Sequence, residues 1–428
     1  MPQKLALFIA LLSLGFTAHA QTTLTYEQQL GKLLYKDKNL STNRNQACET
    51  CHALTGVARD AGAGLSAPAF ADPQNGITGT PVSLGSVPFA TGTLNTPSVG
   101  YAAFSPLFHW DETEGLYVGG QFWNGRAADL LEQAKKPFLN PVEMAMPNEW
   151  AVVSRLKENP AYRERFLKAY GLDLNAVPHI QNALFNEPTP AAISDIYQHL
   201  AQAIAAFEKS AVFNKFNSKF DFVLAGMTTR LTPLEKQGLV LFNDAAKGNC
   251  AACHISEAGT DEKGRVIPPL FTDFTYDNIG VPRNVNIPGN PEPNLGLGGR
   301  PDIKKLDPNR DEKGKHKVMS LRNIAITPPY GHNGVFATLE QVVHFYNTRD
   351  TLGTVPDNRS QGFAISGWPE PEVARNVNHD ELGNLALSAA EEKAIVAFMK
   401  TLTDDYPEWG GDPLVPPGTP SPFAVGID

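Results

Sequence analysis

Cysteine is scarce in this chain of 428 residues, charged residues are few, and basic residues are outnumbered by acidic ones. The sequence has four cysteines, 36 Lys+Arg against 45 Asp+Glu, and 19% charged residues. The resulting net charge of −9 argues against a nucleic-acid-binding protein, which needs a basic face to neutralise phosphates. An apolar content of 42% excludes a disordered chain.

Long apolar runs are also missing, with one exception at the N-terminus. Lys4 precedes an apolar run over 5–16, and the small residues of 18–20 (AHA) follow it. This order is typical of a secretion signal, whereas an anchoring helix needs about 20 apolar residues. We therefore predict a signal peptide at 1–20 that is cleaved near Ala20, a periplasmic mature protein, and no membrane span after cleavage.

All four cysteines fall in two copies of one pattern. Cys48, Cys51 and His52 form a Cys-x-x-Cys-His motif, and Cys250, Cys253 and His254 form the second. This motif is the attachment signature of c-type haem, in which the thiols bond covalently to the porphyrin and the adjacent His becomes the proximal iron ligand.

Two other chemistries use paired cysteines: a redox dithiol and a four-cysteine zinc site. A zinc site does not explain why a histidine follows both pairs, and a redox dithiol motif usually occurs once, on a thioredoxin-like βαβ unit. No spare cysteine remains for a structural disulfide. We therefore predict two covalently bound haem c groups, with His52 and His254 as their iron ligands.

The two motifs follow similar segments, Gly31–Tyr35 (GKLLY) and Gly238–Phe242 (GLVLF), with the apolar spacing of a helix. The repeat predicts a mostly α fold of two cytochrome c-like domains with few strands. Long Gly-, Pro- and Asn-rich loops are expected at 60–105 and 255–315. The predicted domains are 21–225, with the first haem, and 226–406, with the second haem, followed by a Pro/Gly-rich tail at 407–428. Further helices are predicted at Ala127–Ala134, Glu149–Tyr170, Ala191–Val212, Leu339–Tyr346 and Ala389–Leu402.

The second axial ligand decides whether a haem carries electrons or does chemistry. No histidine or methionine occurs between His52 and His109, where a local distal ligand is most easily supplied. The first haem is therefore expected to keep one face open. His109 remains a possible ligand.

Several separated motifs then resemble the bacterial di-haem cytochrome c peroxidases and, within them, the MauG-like enzymes. They are, in chain order, 121–127 (QFWNGRA), 132–144 (EQAKKPFLNPVEM), 320–323 (SLRN) and 327–334 (TPPYGHNG). Together with the two haem motifs they extend over almost all of the mature chain.

The resemblance implies a role for individual residues. Trp123 would lie between the two haems as an electron relay. Glu143 would act as the acid/base in peroxide cleavage and Gln133 would orient the peroxide. The resemblance also implies one bound Ca²⁺ near Asn95, Thr327 and Pro329, through oxygen ligands of the kind that Ca²⁺ takes.

One position separates the MauG-like members from conventional di-haem peroxidases. Fourteen residues after the His of the 327–334 motif, conventional members carry a Met that ligates the second haem, and MauG-like members carry Tyr. Counting from His332 gives Tyr346. The resemblance therefore implies that Tyr346 is the distal ligand of the second haem. The alternatives are a core aromatic role for Tyr346, and ligation by His332, His344, Met319 or Met399.

Two features depart from the pattern. The member for which the MauG-like group is named has an exposed Trp two residues before the second motif, and here Gly248 stands at that position. A Gly-, Ser-, Thr- and Pro-rich insert at 72–93 also lengthens the first loop. The route to a partner protein must therefore differ.

Three functions follow in order of preference. The first is a periplasmic enzyme that uses hydrogen peroxide to form a high-valent di-haem state, which oxidises a partner protein, with an aromatic residue as one possible target. The second is a peroxide-scavenging peroxidase that takes electrons from a small cytochrome c or copper protein. The third is a plain di-haem electron carrier.

Overall fold

A computed structural model describes residues 23–54, 56–57, 66–67, 70–177, 189–227, 229–260, 263–289 and 291–423. The predicted signal peptide at 1–20 lies outside these residues. Within them, no helix combines the length and the apolar character that crossing a membrane requires.

The described residues are mostly helical and the strands are only two or three residues long, as the sequence predicted. The helices are α1 (Tyr26–Lys36), α2 (Cys48–Cys51), α3 (Pro73–Thr78), α4 (Leu130–Leu139), α5 (Glu149–Glu158), α6 (Pro160–Tyr170), α7 (Ala191–Glu208), α8 (Lys219–Leu224), α9 (Pro233–Asn243), α10 (Pro301–Leu306), α11 (Leu339–Thr348), α12 (Ala389–Lys400) and α13 (Tyr406–Trp409).

The strands form two-stranded pairs along the connecting loops. The antiparallel pairs are β1 (Gly56–Val57) with β2 (Ser66–Ala67), β3 (His109–Asp111) with β4 (Leu116–Val118), β5 (Gly259–Thr260) with β6 (Val266–Ile267), and β7 (Tyr276–Asp277) with β8 (His316–Lys317). The parallel pair is β9 (Gly353–Thr354) with β10 (Gly367–Trp368).

Several predicted helix bounds were wrong: α7 ends at Glu208 and not at Val212, α11 continues to Thr348, and α12 ends at Lys400. The predicted helix Glu149–Tyr170 is divided into α5 and α6, because Pro160 cannot donate the backbone hydrogen bond that would continue α5. Asn159 ends α5 and caps α6, since its side chain accepts from the Ala161 N–H at 3.0 Å. The helix predicted from Ala127 begins only at Leu130, after the N-cap Asp129. The predicted loops at 60–105 and 255–315 also contain the short helices α3 and α10.

The similar segments before the two haem motifs occupy equivalent places. α1 crosses α7 at Gly31, where an added Cβ would lie 1.9 Å from the Ala203 carbonyl oxygen. α9 crosses α12 at Gly238, where an added Cβ would lie at the same 1.9 Å from the Ala394 carbonyl oxygen. Only glycine allows the backbones to approach so closely. The helix crossing is therefore repeated in both parts of the chain.

Each crossing belongs to its own hydrophobic core. The first core comprises buried side chains from Leu30 to Phe213, and the second comprises buried side chains from Phe220 to Leu402. Tyr101 of the first part connects the two, since its hydroxyl donates to Asp404 at 2.8 Å. Beyond the second core, Val415 in the tail packs on Phe222.

Candidate functional site

A cavity of about 610 Å³ is lined by residues from both parts of the chain. Its lining includes every residue that the sequence predicted for haem attachment, peroxide chemistry, electron relay and calcium binding. They are Cys48, Cys51, His52, Asn95, Trp123, Gln133, Glu143, Cys250, Cys253, His254, Thr327, Pro329 and Tyr346. The fold therefore brings together positions that are far apart in the sequence.

The first motif presents two thiols and a neutral imidazole to this cavity. Cys48 packs against the first core, and the Tyr35 hydroxyl donates to the His52 carbonyl at 2.8 Å. His52 Nδ1 lies 3.3 Å from the Phe70 carbonyl oxygen. Burial lowers the pKa of His52 to about 4, although hydrogen bonds that the ring donates to the Phe70 and Pro97 carbonyls oppose this shift. The ring is therefore neutral at physiological pH, which is the form that binds a metal.

The second motif repeats this arrangement. Cys250 packs against the second core, and His254 Nδ1 lies 2.8 Å from the Phe271 carbonyl oxygen. Burial lowers the pKa of His254 as well. When Nδ1 donates to a carbonyl, the other ring nitrogen is left with the lone pair that can bind iron.

The residues that line the cavity fit covalently bound haem better than they fit a redox dithiol or a four-cysteine zinc site. No two of the four cysteines form a disulfide, and burial raises the pKa of Cys51 and Cys250 to about 12. In the described part of the chain no three His, Cys, Asp or Glu side chains are grouped as metal ligands, which gives no support to a four-cysteine zinc site. A porphyrin needs apolar walls, and the walls here include Ile204, Phe242, Leu339, Val342, Val343, Ile395 and Met399.

Tyr346 lies on α11, beside the second motif. It packs against the second core and lines the cavity. Burial raises the pKa of its hydroxyl well above the usual value, and the neighbouring Cys253 and Cys250 raise it further. A phenolate at this position therefore needs a compensating cation, and a ferric iron would supply one.

The alternative ligands for the second haem differ in how they are held. His332 Nε2 is paired with Glu372 Oε2 at 2.6 Å, and its ring stacks on His316 with 3.6 Å between centroids. His344 Nδ1 is paired with Glu392 Oε1 at 2.9 Å. Both histidines therefore have a strong partner already. The remaining alternatives also line the cavity: Met319 and Met399.

The residues predicted for peroxide chemistry lie on α4 and in the turn that follows it. Glu143 Oε1 accepts a hydrogen bond of 2.7 Å from Asn140 Nδ2. Burial raises the pKa of Glu143, while the Arg126 guanidinium and Asn140 lower it. Arg126 itself lies over the Phe122 ring, 3.5 Å from its centroid. Gln133 lines the cavity with Glu143 and Arg126. These groups can bind a small polar molecule and exchange a proton with it.

Trp123 connects this pocket to the rest of the cavity. Its indole N–H donates to the Asn95 carbonyl at 2.8 Å, and its ring lies edge-on to His332 at 6.4 Å between centroids. Asn95 is buried, and its Nδ2 donates to the Pro81 carbonyl at 3.1 Å. Asn95, Thr327 and Pro329 line the same cavity and offer neutral oxygens, so the calcium site stays a prediction that these residue types fit.

The structure gives the locations of two residues whose role the sequence did not decide. His109 is exposed on β3, bonds the Leu107 carbonyl at 2.8 Å, and is not among the residues that line the cavity. Gly248 does line the cavity, and an added Cβ there would lie 2.3 Å from the Leu241 carbonyl oxygen. A tryptophan at 248 would therefore require the backbone to move.

The cavity wall also contains charged side chains to which sequence reasoning gave no role, among them Arg126, Glu208 and Lys317. Glu208 ends α7, and burial raises its pKa to about 8. Its Oε2 has no hydrogen-bond partner in the described part of the chain. No sequence signal marks Glu208 or Lys317, because such residues are normally solvated. Arg126 stood inside a motif already noted and could have been found there.

Three comparisons connect this geometry with known proteins. The profile of the di-haem cytochrome c peroxidase family matches residues 25–229. The methylamine utilization protein MauG of Paracoccus denitrificans is 39% identical, over 88% of this chain and 88% of its own. The cytochrome c551 peroxidase of Nitrosomonas europaea is 30% identical, over 91% of this chain and 83% of its own.

A solved structure agrees with these relatives. A variant of the diheme peroxidase BthA from Burkholderia thailandensis superposes with a TM-score of 0.70 and 30% identity, over 92% of this chain and 90% of its own. Sequence, fold and the paired cysteine motifs point to one family, and the resemblance noted in the sequence is confirmed. The chain is a haem-dependent oxidoreductase that belongs to the di-haem cytochrome c peroxidase family.

Proposed function

We propose that the chain is a periplasmic MauG-like enzyme that uses hydrogen peroxide to oxidise a partner protein. The proposal rests on the position of Tyr346, which lies in the cavity beside the second cysteine motif. The 39% identity to a MauG protein supports it.

Two covalently bound haem c groups would supply the redox chemistry. Cys48, Cys51 and His52 would hold the first haem in a domain 21–225. Cys250, Cys253, His254 and Tyr346 would hold the second haem in a domain 226–406, and the tail 407–428 lies outside both. Two separate hydrophobic cores support a division into two parts, although Phe220 already belongs to the second core. The neutral imidazoles and the apolar walls support the attachment.

Glu143 would transfer the proton when peroxide is cleaved. Asn140 occupies one carboxyl oxygen at 2.7 Å, which fixes the rotamer and leaves the other oxygen for the substrate. Burial raises the pKa of Glu143 toward physiological pH, where an acid/base group works best. Gln133 would orient the peroxide by hydrogen bonding. Arg126 lies near enough to Glu143 to favour the carboxylate between proton transfers.

Trp123 would relay electrons between the two halves of the cavity. Its N–H donates to a backbone carbonyl, which is too weak a base to accept a proton. An electron would therefore leave the indole without the proton. The fixed N–H bond and the His332 ring also hold the indole in one orientation. A nearby Ca²⁺ bound at Asn95, Thr327 and Pro329 would tie this orientation to the 327–334 segment.

The partner protein would exchange electrons by a route other than a tryptophan at 248. Gly248 leaves no room for a side chain unless the backbone moves. The relative that carries the MauG name therefore does not identify the substrate of this chain. A partner with an oxidisable aromatic residue remains the proposal.

The second candidate is a peroxide-scavenging peroxidase that takes electrons from a small cytochrome c or copper protein. The cytochrome c551 peroxidase relative favours it, and so do Met319 and Met399, since a methionine ligand on the second haem would suit it. A plain electron carrier, which needs strong ligands on both haems, is less favoured, because His109 does not line the cavity.

Tyr346→Phe tests the proposal against both alternatives. The measurement is electron paramagnetic resonance of the diferric holoprotein before and after one equivalent of peroxide. We expect one high-spin and one low-spin haem in the wild type, and a change of the low-spin signal in Tyr346→Phe. Tyr330→Phe is the matched control, because Tyr330 also lines the cavity but its hydroxyl donates to the Ile324 carbonyl at 2.8 Å. An unchanged low-spin signal in Tyr346→Phe would reject Tyr346 as ligand and favour the scavenging peroxidase.

A further inference from the structure

Lys317 is a buried lysine that has no carboxylate partner among the described residues. It is 7% exposed and lies on β8, in the wall of the cavity. Its Nζ donates to Ser105 Oγ at 2.6 Å and to the Gly120 carbonyl, and lies 5.3 Å from the centroid of the Phe274 ring. All of these contacts are neutral.

Other buried cations in this structure have a counter-ion. Arg322 is fully buried, and its Nη1 pairs with Asp221 Oδ2 at 2.7 Å. Lys219, largely buried, pairs with Glu235 at 2.7 Å. Within the described residues no carboxylate lies within ion-pair distance of Lys317 Nζ. Burying a charge without a partner is costly. Burial alone accordingly lowers the pKa of Lys317 to about 7.

An anion that enters the cavity would remove this cost. We propose that Lys317 holds a haem propionate at the seam between the two parts of the chain. The carboxylate would accept a hydrogen bond from the ammonium, which has three N–H donors and uses two for Ser105 and Gly120. This inference rests on the haem binding proposed above and assigns no new cofactor.

The position of Lys317 gives this contact a consequence for electron transfer. Its backbone N–H donates to the Trp123 carbonyl at 2.8 Å, so the residue that carries the ammonium is hydrogen-bonded directly to the proposed relay. A positive charge beside a propionate favours the reduced haem, because reduction adds an electron to the group. Lys317 would therefore raise the reduction potential of the haem that it contacts.

Replacing Lys317 separates its charge from its hydrogen bonds. Lys317→Gln keeps a donor and removes the charge, Lys317→Arg keeps both, and Lys317→Met removes both. Lys305→Gln is the control, since Lys305 is an exposed lysine on α10 whose loss changes the net charge equally. The measurement is a redox titration of each haem, followed by its visible spectrum, together with the haem content per chain.

We expect Lys317→Gln and Lys317→Met to lower the potential of one haem, so that its reduced-to-oxidised ratio at a fixed potential falls at least tenfold, or about 59 mV. Lys317→Arg and Lys305→Gln should stay within threefold of the wild type. Loss of haem from both neutral variants, with full haem in Lys317→Arg, would also support a required cation. Unchanged potentials in the neutral variants would overturn the inference, as would an equal shift in Lys317→Arg or Lys305→Gln. A wild-type chain without haem would instead refute the proposed function.

Discussion

The replacement Glu143→Gln removes one chemical property of the peroxide pocket and leaves its shape. Glutamine has nearly the same volume as glutamate, and its carbonyl oxygen can still accept the 2.7 Å hydrogen bond from Asn140 Nδ2. The variant therefore loses the site that accepts and returns a proton, and the negative charge that faces Arg126. Both haems should remain attached, because the cysteine motifs are untouched.

The size of the effect follows from this single loss. A positioned acid/base group contributes about 10²–10⁴-fold to rate, which corresponds to about 2.7–5.4 kcal/mol in the barrier. We expect the reaction of the diferric protein with peroxide to slow by that factor. Burial raises the pKa of Glu143, so the wild-type rate should rise with pH through a midpoint above the usual pKa of a glutamate. This limb of the pH profile should be missing in the variant.

Stopped-flow absorbance with one equivalent of peroxide measures the rate, and the haem content per chain checks that the pocket is intact. Glu132→Gln is the matched control, because Glu132 lies in the same segment but is 44% solvent-exposed and is paired with Lys136. It should react at the wild-type rate. If Glu143→Gln also reacted at the wild-type rate with both haems in place, another group would have to move the proton.

Two further predictions concern stability. Gly238→Ala should lower the free energy of unfolding, measured by chemical denaturation, by about 1–3 kcal/mol or more, because the added Cβ would lie 1.9 Å from the Ala394 carbonyl oxygen. Gly259→Ala is the control and should be nearly neutral, because its Cβ meets nothing within 4 Å. Equal stabilities would refute the close helix crossing. Burial raises the pKa of Glu208 to about 8, so between roughly pH 4.5 and 8 the native chain holds a proton that the unfolded chain has lost. Stability should therefore fall by about 1.4 kcal/mol per pH unit across that range, and Glu208→Gln should remove this slope. The same slope in both proteins would show that Glu208 is not buried as described.

Each proposal has its own experiment, and each experiment can reject only that proposal. Spectroscopy of Tyr346→Phe tests the ligand that separates a MauG-like enzyme from a scavenging peroxidase. Redox titration of the Lys317 variants tests only the charge beside the haem. The Glu143→Gln rate tests proton transfer, whichever partner finally receives or donates the electrons. Failure of one therefore leaves the other two standing.

Local chemistry explains what the sequence could predict. The Cys-x-x-Cys-His motifs place their thiols and histidine within one turn, so no tertiary contact was needed to recognise them. The apolar spacing around Gly31 and Gly238 predicted helices that the structure has, because helix periodicity is also a local property. The division at Pro160 was visible in the sequence as well, and was overlooked.

Residues in the cavity wall depended on the tertiary structure. A lone Lys317 or Glu208 in a sequence predicts a solvated side chain, since burial of either charge is costly. Packing of the two cores around one cavity buries both side chains. Neither of them forms an ion pair with another described residue. The sequence did not determine whether His109 is exposed, because its place on β3 is fixed by pairing with β4.

The sequence by itself determined the family, the two haem motifs and the mostly helical fold. It did so because attachment chemistry and helix periodicity act over a few neighbouring residues. The tertiary structure decided which side chains share the cavity, which histidines already have a carboxylate partner, and why no side chain fits at Gly248. Those properties depend on distances between residues far apart in the chain, and such distances exist only once the two cores have packed.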